Sequence, residues 1–160
     1  MQHDIRISTA ADFNGVDALL KRSYPVLLKP DYPAEVLAQA LPLITNAQPD
    51  LLACGTFYVV ECKGQIVAAG GWTPDRKVAT RGHIRHVMTD HRMPRTGLGR
   101  LVVSKCLETA RAAGIEVMEC WSTRTAERFY QAMGFRSVSR FDVMLPGEVP
   151  FPSIRMEQVL

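Results

Sequence analysis

The sequence of 160 residues lacks the features that mark several special classes of protein. No apolar run approaches the ~20 residues needed to span a bilayer, and the first residues lack the basic-then-apolar pattern of a signal peptide. There is also no internal repeat and no low-complexity tract. With 47% hydrophobic and 22% charged residues, the composition is that of a globular protein. We therefore expect a single domain over residues 1–160, a cytoplasmic location and no membrane partner.

The sequence also lacks a Cys-x-x-Cys pair. Its cysteines each lie in an apolar stretch, so we expect reduced core residues at Cys54, Cys62, Cys106 and Cys120. His83 and His86 form an H-x-x-H pair, but an odd spacing on a predicted strand directs two side chains to opposite faces. We therefore expect no metal site.

Two helices are predicted in the first part of the chain. Thr9 and Asp12 resemble a capping box, and the apolar spacing that follows predicts a helix that ends at Pro25. A second helix is predicted over residues 33–41, closed by Pro42. The segment between them, residues 24–28, is too apolar for an idle surface loop, so we expect it to cover another part of the protein.

The remaining elements alternate between strands and helices. Runs rich in β-branched and apolar residues predict strands at 5–7, 56–61, 66–72, 82–89, 115–121, 135–141 and 154–159. Helical spacing predicts a long helix from Leu98 that ends at Gly114 and another that ends at Gly134. The strand, helix, strand series forms a right-handed crossover. The fold class is therefore α/β, with a mixed, mainly antiparallel sheet.

Residues 94–100, Pro-Arg-Thr-Gly-Leu-Gly-Arg, lie between a predicted strand and the long helix. Glycines let a backbone turn tightly against a ligand, and the amides and dipole of a helix N-terminus favour an anion. The segment therefore predicts a phosphate or pyrophosphate cradle, with a flexible turn as the alternative. It is neither a Rossmann fingerprint, because Val102 stands where the third glycine would be, nor a Walker loop.

An arginine-bearing G-x-G loop, followed by Ala126-x-x-Phe129-Tyr130-x-x-x-Gly134-Phe135, resembles the GNAT superfamily of acyl-CoA-dependent N-acetyltransferases. The order of elements is similar along nearly the whole chain, and the motif positions lie within residues 82–141. The resemblance implies about seven strands flanked by about four helices. It also implies two strands that splay to admit the pantetheine arm of acetyl-CoA, which would be the co-substrate.

The resemblance implies a role for each matching position. The loop residues Arg95, Thr96, Gly97, Leu98, Gly99 and Arg100 would hold the pyrophosphate. The backbone of Val87, Met88 and Thr89 would pair with pantetheine and polarise the thioester carbonyl, and Tyr130 would protonate the leaving thiolate as general acid. For Tyr130 the alternative is an amphipathic core residue.

Two positions depart from the family pattern. Pro94 stands where the loop usually begins with Gln or Arg, so one phosphate contact is missing, and Arg95 or Arg92 would have to replace it. Thr123 stands where an Asn is frequent, so a hydroxyl replaces an amide in the contact with pantetheine.

The general base is less clearly indicated by the sequence. An alkyl ammonium with a pKa near ~10.4 must lose a proton before it attacks. Several branches of the family place a Glu fourteen residues before the first glycine of the loop, and that position is His83. Imidazole can accept a proton at neutral pH, so His83 is the proposed base. A hydrogen-bonded strand histidine is the alternative, and water or Glu119 are other candidate bases.

The function implied is transfer of an acetyl group to a primary amine by direct attack in a ternary complex. A non-catalytic acetyl-CoA sensor is the alternative. Family members usually bind the acceptor with the first helices and the last loop, here residues 24–32 and 142–152, whose few charges favour a small, partly apolar amine. Residues 76–100 hold seven basic side chains and one acidic side chain, which is the distribution expected if a polyanionic cofactor binds there, with a solvated charged face as the alternative. No nucleic-acid-binding motif is present, and a homodimer is one expected assembly.

Overall fold

The computed structural model describes residues 3–160, and its strands form one sheet of seven. Their bounds are β1 (Asp4–Ile7), β2 (Phe57–Cys62), β3 (Gln65–Pro74), β4 (Arg81–Thr89), β5 (Val117–Thr123), β6 (Arg136–Leu145) and β7 (Val149–Val159). The strand order is β1-β2-β3-β4-β5-β7-β6. Only β4 and β5 pair in parallel, so the mixed, mainly antiparallel sheet predicted from the sequence is confirmed.

Helices cover both faces of the sheet and create two apolar layers. Their bounds are α1 (Phe13–Leu28), α2 (Ala34–Ile44), α3 (Pro49–Leu52), α4 (Leu98–Ala112) and α5 (Glu127–Ala132). The buried side chains of α4 and α5 pack on one face, and those of α1 and α2 pack on the other. No helix in the described range is long and apolar enough to cross a membrane.

The prediction that α1 ends at Pro25 is wrong, because the helix continues to Leu28. Pro25 has no N–H to donate to the carbonyl of Lys21, which costs about 3 kcal/mol inside a helix. Burial offsets this cost, since Tyr24 is 8% and Leu28 is 2% exposed, and each buried apolar side chain contributes about 1.5–3 kcal/mol. The apolar segment 24–28 is therefore the last turn of α1, and it covers the sheet.

Two further boundaries differ from the sequence prediction. Helix α2 passes through Pro42 and ends at Ile44, because a proline near the end of a helix removes one bond while Leu37 and Ala40 remain buried. The short helix α3 was not predicted, since four residues show no periodicity. Residues 142–152 are not a loop, because β6 and β7 continue as a hairpin closed by a turn at Gly147.

The cysteines are free thiols, but only two of them are core residues. Cys106 and Cys120 are buried, as expected. Cys62 is half-buried and Cys54 is exposed, so the prediction of a core position is wrong for Cys54. Cys54 follows α3 in the turn that leads to β2, where the sequence Ala-Cys-Gly breaks the apolar run.

Candidate active site

The sheet opens between β4 and β5. The two strands pair only from Arg81 to His83 on β4 and from Val117 to Glu119 on β5. Beyond His83 the edge of β4 that faces β5 has no ladder partner, so its N–H and C=O groups are available to a ligand. The splayed strand pair expected from the family resemblance is therefore present.

A β-bulge lies on β4 where the strands separate. Met88 pairs with Ala69 and Arg85 pairs with Gly71, so two residues of β4 stand opposite Gly70 alone. His86 occupies the bulge with a φ of 49°, in the left-handed region. A β-bulge re-aims the side chains on either side of it, which is why the spacing rule applied to the H-x-x-H pair does not hold here.

The opening leads into a cavity of about 1390 Å³. Small-molecule sites typically occupy about 300–1,000 Å³, so this cavity has room for two ligands. Every residue predicted to belong to the site contributes to its wall: His83, Val87, Met88, Thr89, Arg95, Thr96, Gly97, Leu98, Gly99, Arg100, Thr123 and Tyr130. The structure therefore brings the predicted residues together around one space.

The 94–100 loop presents free backbone amides at one end of this cavity. Gly97 has a φ of 78° and begins α4 without a side-chain cap. Within the described chain, the amides of residues 95–100 donate to no backbone or side-chain acceptor, and the first turn of α4 holds no acidic side chain. Unpaired N–H groups at a helix N-terminus form an anion site. The loop therefore fits the pyrophosphate of coenzyme A.

Only one of the two arginines considered as a replacement for the Pro94 contact is free. The guanidinium of Arg92 donates to Asp90, through Nε at 3.0 Å and Nη2 at 2.7 Å, and its Nη2 also donates to Gln65 at 3.1 Å. Arg95 is exposed in the loop, and it forms no ion pair with residues 3–160. Arg95 is therefore the side chain available for a phosphate.

Thr123 lies at the end of β5, and its hydroxyl accepts a hydrogen bond from the backbone amide of Ala126 at 3.2 Å. It thereby fixes the turn into α5, and its own O–H remains available on the cavity side. A hydroxyl can thus keep part of the contact for which the family uses an amide.

The phenol of Tyr130 is held rigidly in the cavity wall. Its ring packs edge-on against Phe129 and Phe135, with centroid distances of 5.1 and 5.5 Å. Burial, reinforced by the neighbouring Cys120, raises the pKa of Tyr130 well above its usual value of about 10. The hydroxyl is therefore protonated at neutral pH, as an unshifted phenol would also be, and the position of the ring in the cavity wall is what favours a general-acid role.

Cys120 is the buried thiol beside Tyr130. Burial raises the pKa of Cys120 to about 12. Only the thiolate is a good nucleophile, so this cysteine is poorly suited to carry an acyl group. Direct transfer between two bound substrates needs no such intermediate.

His83 is engaged on both sides of its ring. Its Nε2 lies 2.7 Å from Oδ1 of Asp75, and its Nδ1 lies 3.2 Å from Oε2 of Glu119. The hydrogen bond from His83, with two backbone amides, lowers the pKa of Asp75. Glu119 also accepts hydrogen bonds from Arg81 at 2.9 Å and from Trp121 at 3.0 Å. To accept a proton from an amine, either His83 or Glu119 would have to lose a contact.

The sequence did not identify two further residues of the wall. His86 is half-buried, and its ring makes no hydrogen bond with the described residues. Burial lowers the pKa of His86 below its usual 6.5, and the charge of Arg85 lowers it further. Arg85 donates from Nε to Oγ1 of Thr73 at 2.9 Å and has no carboxylate partner within residues 3–160. Both features depend on the bulge and on neighbours distant in sequence.

The comparison with known families agrees with this geometry. Residues 43–143, more than half of the chain, match the family described as the acetyltransferase (GNAT) domain. The chain belongs to the GNAT acetyltransferase family. The resemblance deduced from the G-x-G loop and the Tyr130 motif is therefore confirmed. No curated protein matches the sequence.

Solved structures of other GNAT proteins share this fold at low sequence identity. PaiA N-acetyltransferase from Thermoplasma acidophilum, in complex with coenzyme A, is 13% identical with a TM-score of 0.76, and both chains are covered in full. A GCN5-related N-acetyltransferase from Rhodopseudomonas palustris is 16% identical with a TM-score of 0.79, over 100% of this chain and 97% of that one. N-acetylglutamate synthase from Neisseria gonorrhoeae, complexed with coenzyme A and N-acetyl-glutamate, is 17% identical with a TM-score of 0.67, over all of this chain and 35% of that one.

Proposed function

We propose that this GNAT protein transfers an acetyl group from acetyl-CoA to a primary amine of a small molecule, by direct attack in a ternary complex. The observation that carries the proposal is the cavity, which joins unpaired loop amides at one end to the splayed strands and a protonated Tyr130. The sheet runs from Asp4 to Val159, which supports one acetyltransferase domain over residues 1–160.

The co-substrate supplies a thioester whose acyl carbon accepts the amine and whose sulfur departs. The amides of residues 95–100 bind the pyrophosphate, and the free edge of β4 at Val87, Met88 and Thr89 binds pantetheine. An N–H group on this edge donates to the carbonyl oxygen as negative charge develops there, which lowers the barrier. Tyr130 gives its proton to the sulfur as the carbon–sulfur bond breaks.

The remaining step is removal of a proton from the incoming ammonium. His83 is the base proposed from the sequence, and it would act through a water because both of its ring nitrogens already contact carboxylates. His86 is a second candidate, because its ring forms no hydrogen bond with residues 3–160 and its lowered pKa keeps the ring neutral at pH 7. The clamped ring of His83 makes His86 the stronger candidate on geometry.

The test of the proposed activity is release of free thiol from acetyl-CoA in the presence of amino acids, arylalkylamines, polyamines and short peptides. We expect at least one amine class to accelerate thiol release over the amine-free rate, with formation of the N-acetyl product detected by mass spectrometry. If acetyl-CoA raises the melting temperature but no amine accelerates thiol release, the sensor function replaces the enzymatic one.

We expect His86→Gln to lower kcat by about 10²-fold, as is typical for loss of a general base. In the wild type, kcat should fall as the pH drops through the pKa of His86, below 6.5, because the protonated ring cannot accept a proton. This acidic limb should disappear in His86→Gln.

His83→Gln is the matched control, since it removes the other cavity imidazole. If His83→Gln lowers kcat and removes the acidic limb, while His86→Gln keeps the wild-type kcat and the acidic limb, then His83 is the base and not His86. Loss of both in the two variants would indicate a relay through both rings.

A further inference from the structure

The cations in the cavity wall form two separate groups. Arg95 and Arg100 lie at the amide-rich loop, where a pyrophosphate fits. Arg76, Lys77 and Arg85 lie toward the other end of β4, and none of them forms an ion pair within the part of the chain that the structure describes. In this far group, Arg85 lies four residues before Thr89, the last residue of β4, which is a separation of about 13 Å along the strand at about 3.3 Å per residue.

Arg85 is the member of the far group that the fold fixes in place. It lies on β4 immediately before the bulge, and its Nε donates to Oγ1 of Thr73 on the adjacent strand β3. Within residues 3–160, both terminal nitrogens of the guanidinium have no hydrogen-bond partner. A half-buried charge without a counter-charge is unfavourable, so the site favours an anion from a ligand. Burial lowers the pKa of Arg85, which agrees with this desolvation.

The nearest carboxylates are already engaged. Asp75 contacts His83 and accepts two backbone amides, and Glu119 contacts His83, Arg81 and Trp121. Their negative charge acts on Arg85 at longer range, but neither forms an ion pair with it. The nearby carboxylates therefore bind other residues, and the two terminal nitrogens of Arg85 remain available to a ligand.

An apolar ring lies in the same part of the cavity wall, that of Trp121. Trp121 of β5 packs edge-on to His83 with a distance of 6.4 Å between ring centroids. His83 lies two residues before Arg85 on β4. A ligand that fills the space next to Arg85 therefore meets an apolar surface on one side and a free guanidinium on the other.

Building on the proposed acetyl transfer, we propose that Arg85 binds a carboxylate of the acceptor. The acceptor is then an amine that carries both a carboxylate and an apolar side chain, as an apolar α-amino acid does. The two terminal nitrogens of Arg85 match the two oxygens of a carboxylate in a planar, bidentate pair. The thioester end of β4 lies next to the bulge, so an amine one carbon from that carboxylate comes within reach of the acyl carbon.

Three acceptors that differ at one group test the proposal: phenylalanine, phenylalanine amide and 2-phenylethylamine. For the wild type we expect kcat/KM to be highest for the amino acid, by about 10- to 100-fold, which is the usual contribution of a charge-assisted hydrogen-bonded pair. Arg85→Gln should remove this preference by raising KM for phenylalanine, and Arg85→Lys should restore part of it. The two neutral-tailed amines should change less than about threefold.

Arg111→Gln is the matched control, because it removes an exposed arginine in the last turn of α4, outside the cavity. Equal rates for the three acceptors in the wild type would overturn the proposal. So would an equal loss for all three in Arg85→Gln, which would mean that the arginine acts on the shared amine. The melting temperature of each variant separates loss of binding from loss of folding.

Failure of the carboxylate site can be distinguished from failure of the enzymatic function. Binding of N-acetylphenylalanine to the protein saturated with coenzyme A is measured by calorimetry, with N-acetyl-2-phenylethylamine as the neutral comparison. Preferential binding of the carboxylate that is lost in Arg85→Gln supports the site even if no amine accelerates thiol release. Equal binding of the two compounds contradicts the site even if acetyl transfer occurs.

Discussion

Tyr130→Phe is expected to lower kcat about 10²-fold at saturating acetyl-CoA and saturating amine, because the leaving thiolate loses its proton donor. The ring is clamped between Phe129 and Phe135, so phenylalanine keeps the packing and removes only the hydroxyl. We expect KM for acetyl-CoA to change little, since the loop amides that bind the pyrophosphate are untouched. Steady-state kinetics with thiol detection measures both quantities.

Tyr58→Phe is the matched control for this prediction. Tyr58 is also buried, but its hydroxyl donates to Thr109 at 2.8 Å in the core, outside the cavity wall. Removal of that hydroxyl should cost about 1 kcal/mol of stability and leave kcat unchanged. If Tyr130→Phe keeps the wild-type kcat while thiol release remains rate-limiting, Tyr130 is a core residue and not the general acid.

The elements of this fold that were predictable are those whose signal is local. Runs of β-branched residues predict strands β2 to β5, and an apolar stripe from Leu98 to Ala110 predicts helix α4. The errors occur where burial outweighs a local rule. Pro25 and Pro42 would each end an isolated helix, and both lie inside helices here because apolar residues around them are buried against the sheet.

The candidate site was predictable as far as its residues follow a motif. The G-x-G loop and Tyr130 are such residues, and both line the cavity. The chemical role of a histidine or an arginine was not predictable in this way. That role depends on which groups contact the side chain in the folded protein. His83 contacts two carboxylates, whereas His86, which lies in the bulge opposite Gly70, forms no ion pair with residues 3–160.

The basic segment 76–100 shows the same dependence on tertiary contacts. Seven basic side chains lie in it, and the structure pairs two of them, Arg81 with Glu119 and Glu157, and Arg92 with Asp90. The other five line the cavity: Arg76, Lys77, Arg85, Arg95 and Arg100. The excess charge therefore lines the cavity itself.

Asp90→Asn is expected to lower the free energy of unfolding by about 3 kcal/mol, the lower part of the range for breaking a buried ion pair. The carboxylate is 1% exposed and accepts hydrogen bonds from Arg22 of α1 at 3.0 Å and from Arg92 at 2.7 Å. Its backbone amide also donates to Val67 at 2.8 Å. Asp90 thus ties α1, β3 and the start of the loop together, and the half-exposed Arg92 keeps the cost below that of a fully buried pair.

The shifted pKa of Asp90 also predicts how the free energy of unfolding changes as the pH falls. Hydrogen bonds from Arg92, followed by those from Arg22, lower the pKa of Asp90 below that of the unfolded chain. The pair therefore stabilises the fold fully above the unfolded pKa of about 3.9, and the contribution is lost as the pH falls through the lower folded value. Between pH 7 and pH 3, the wild type should lose more stability than Asp90→Asn.

Urea unfolding at pH 7 and at several lower pH values measures both effects. Asp17→Asn is the control, because asparagine keeps an oxygen that can accept the hydrogen bond from the backbone amide of Ala47 at 2.9 Å. It removes only the ion pair with the half-exposed Lys21 at 2.7 Å, and such surface pairs contribute about 0.2–1 kcal/mol. A loss of less than 1 kcal/mol in Asp90→Asn, with the same acid dependence as the wild type, would show that Asp90 does not hold α1 to the loop. Acetyl-CoA affinity should fall in Asp90→Asn but not in Asp17→Asn, since only Asp90 fixes the segment from which the pyrophosphate loop begins.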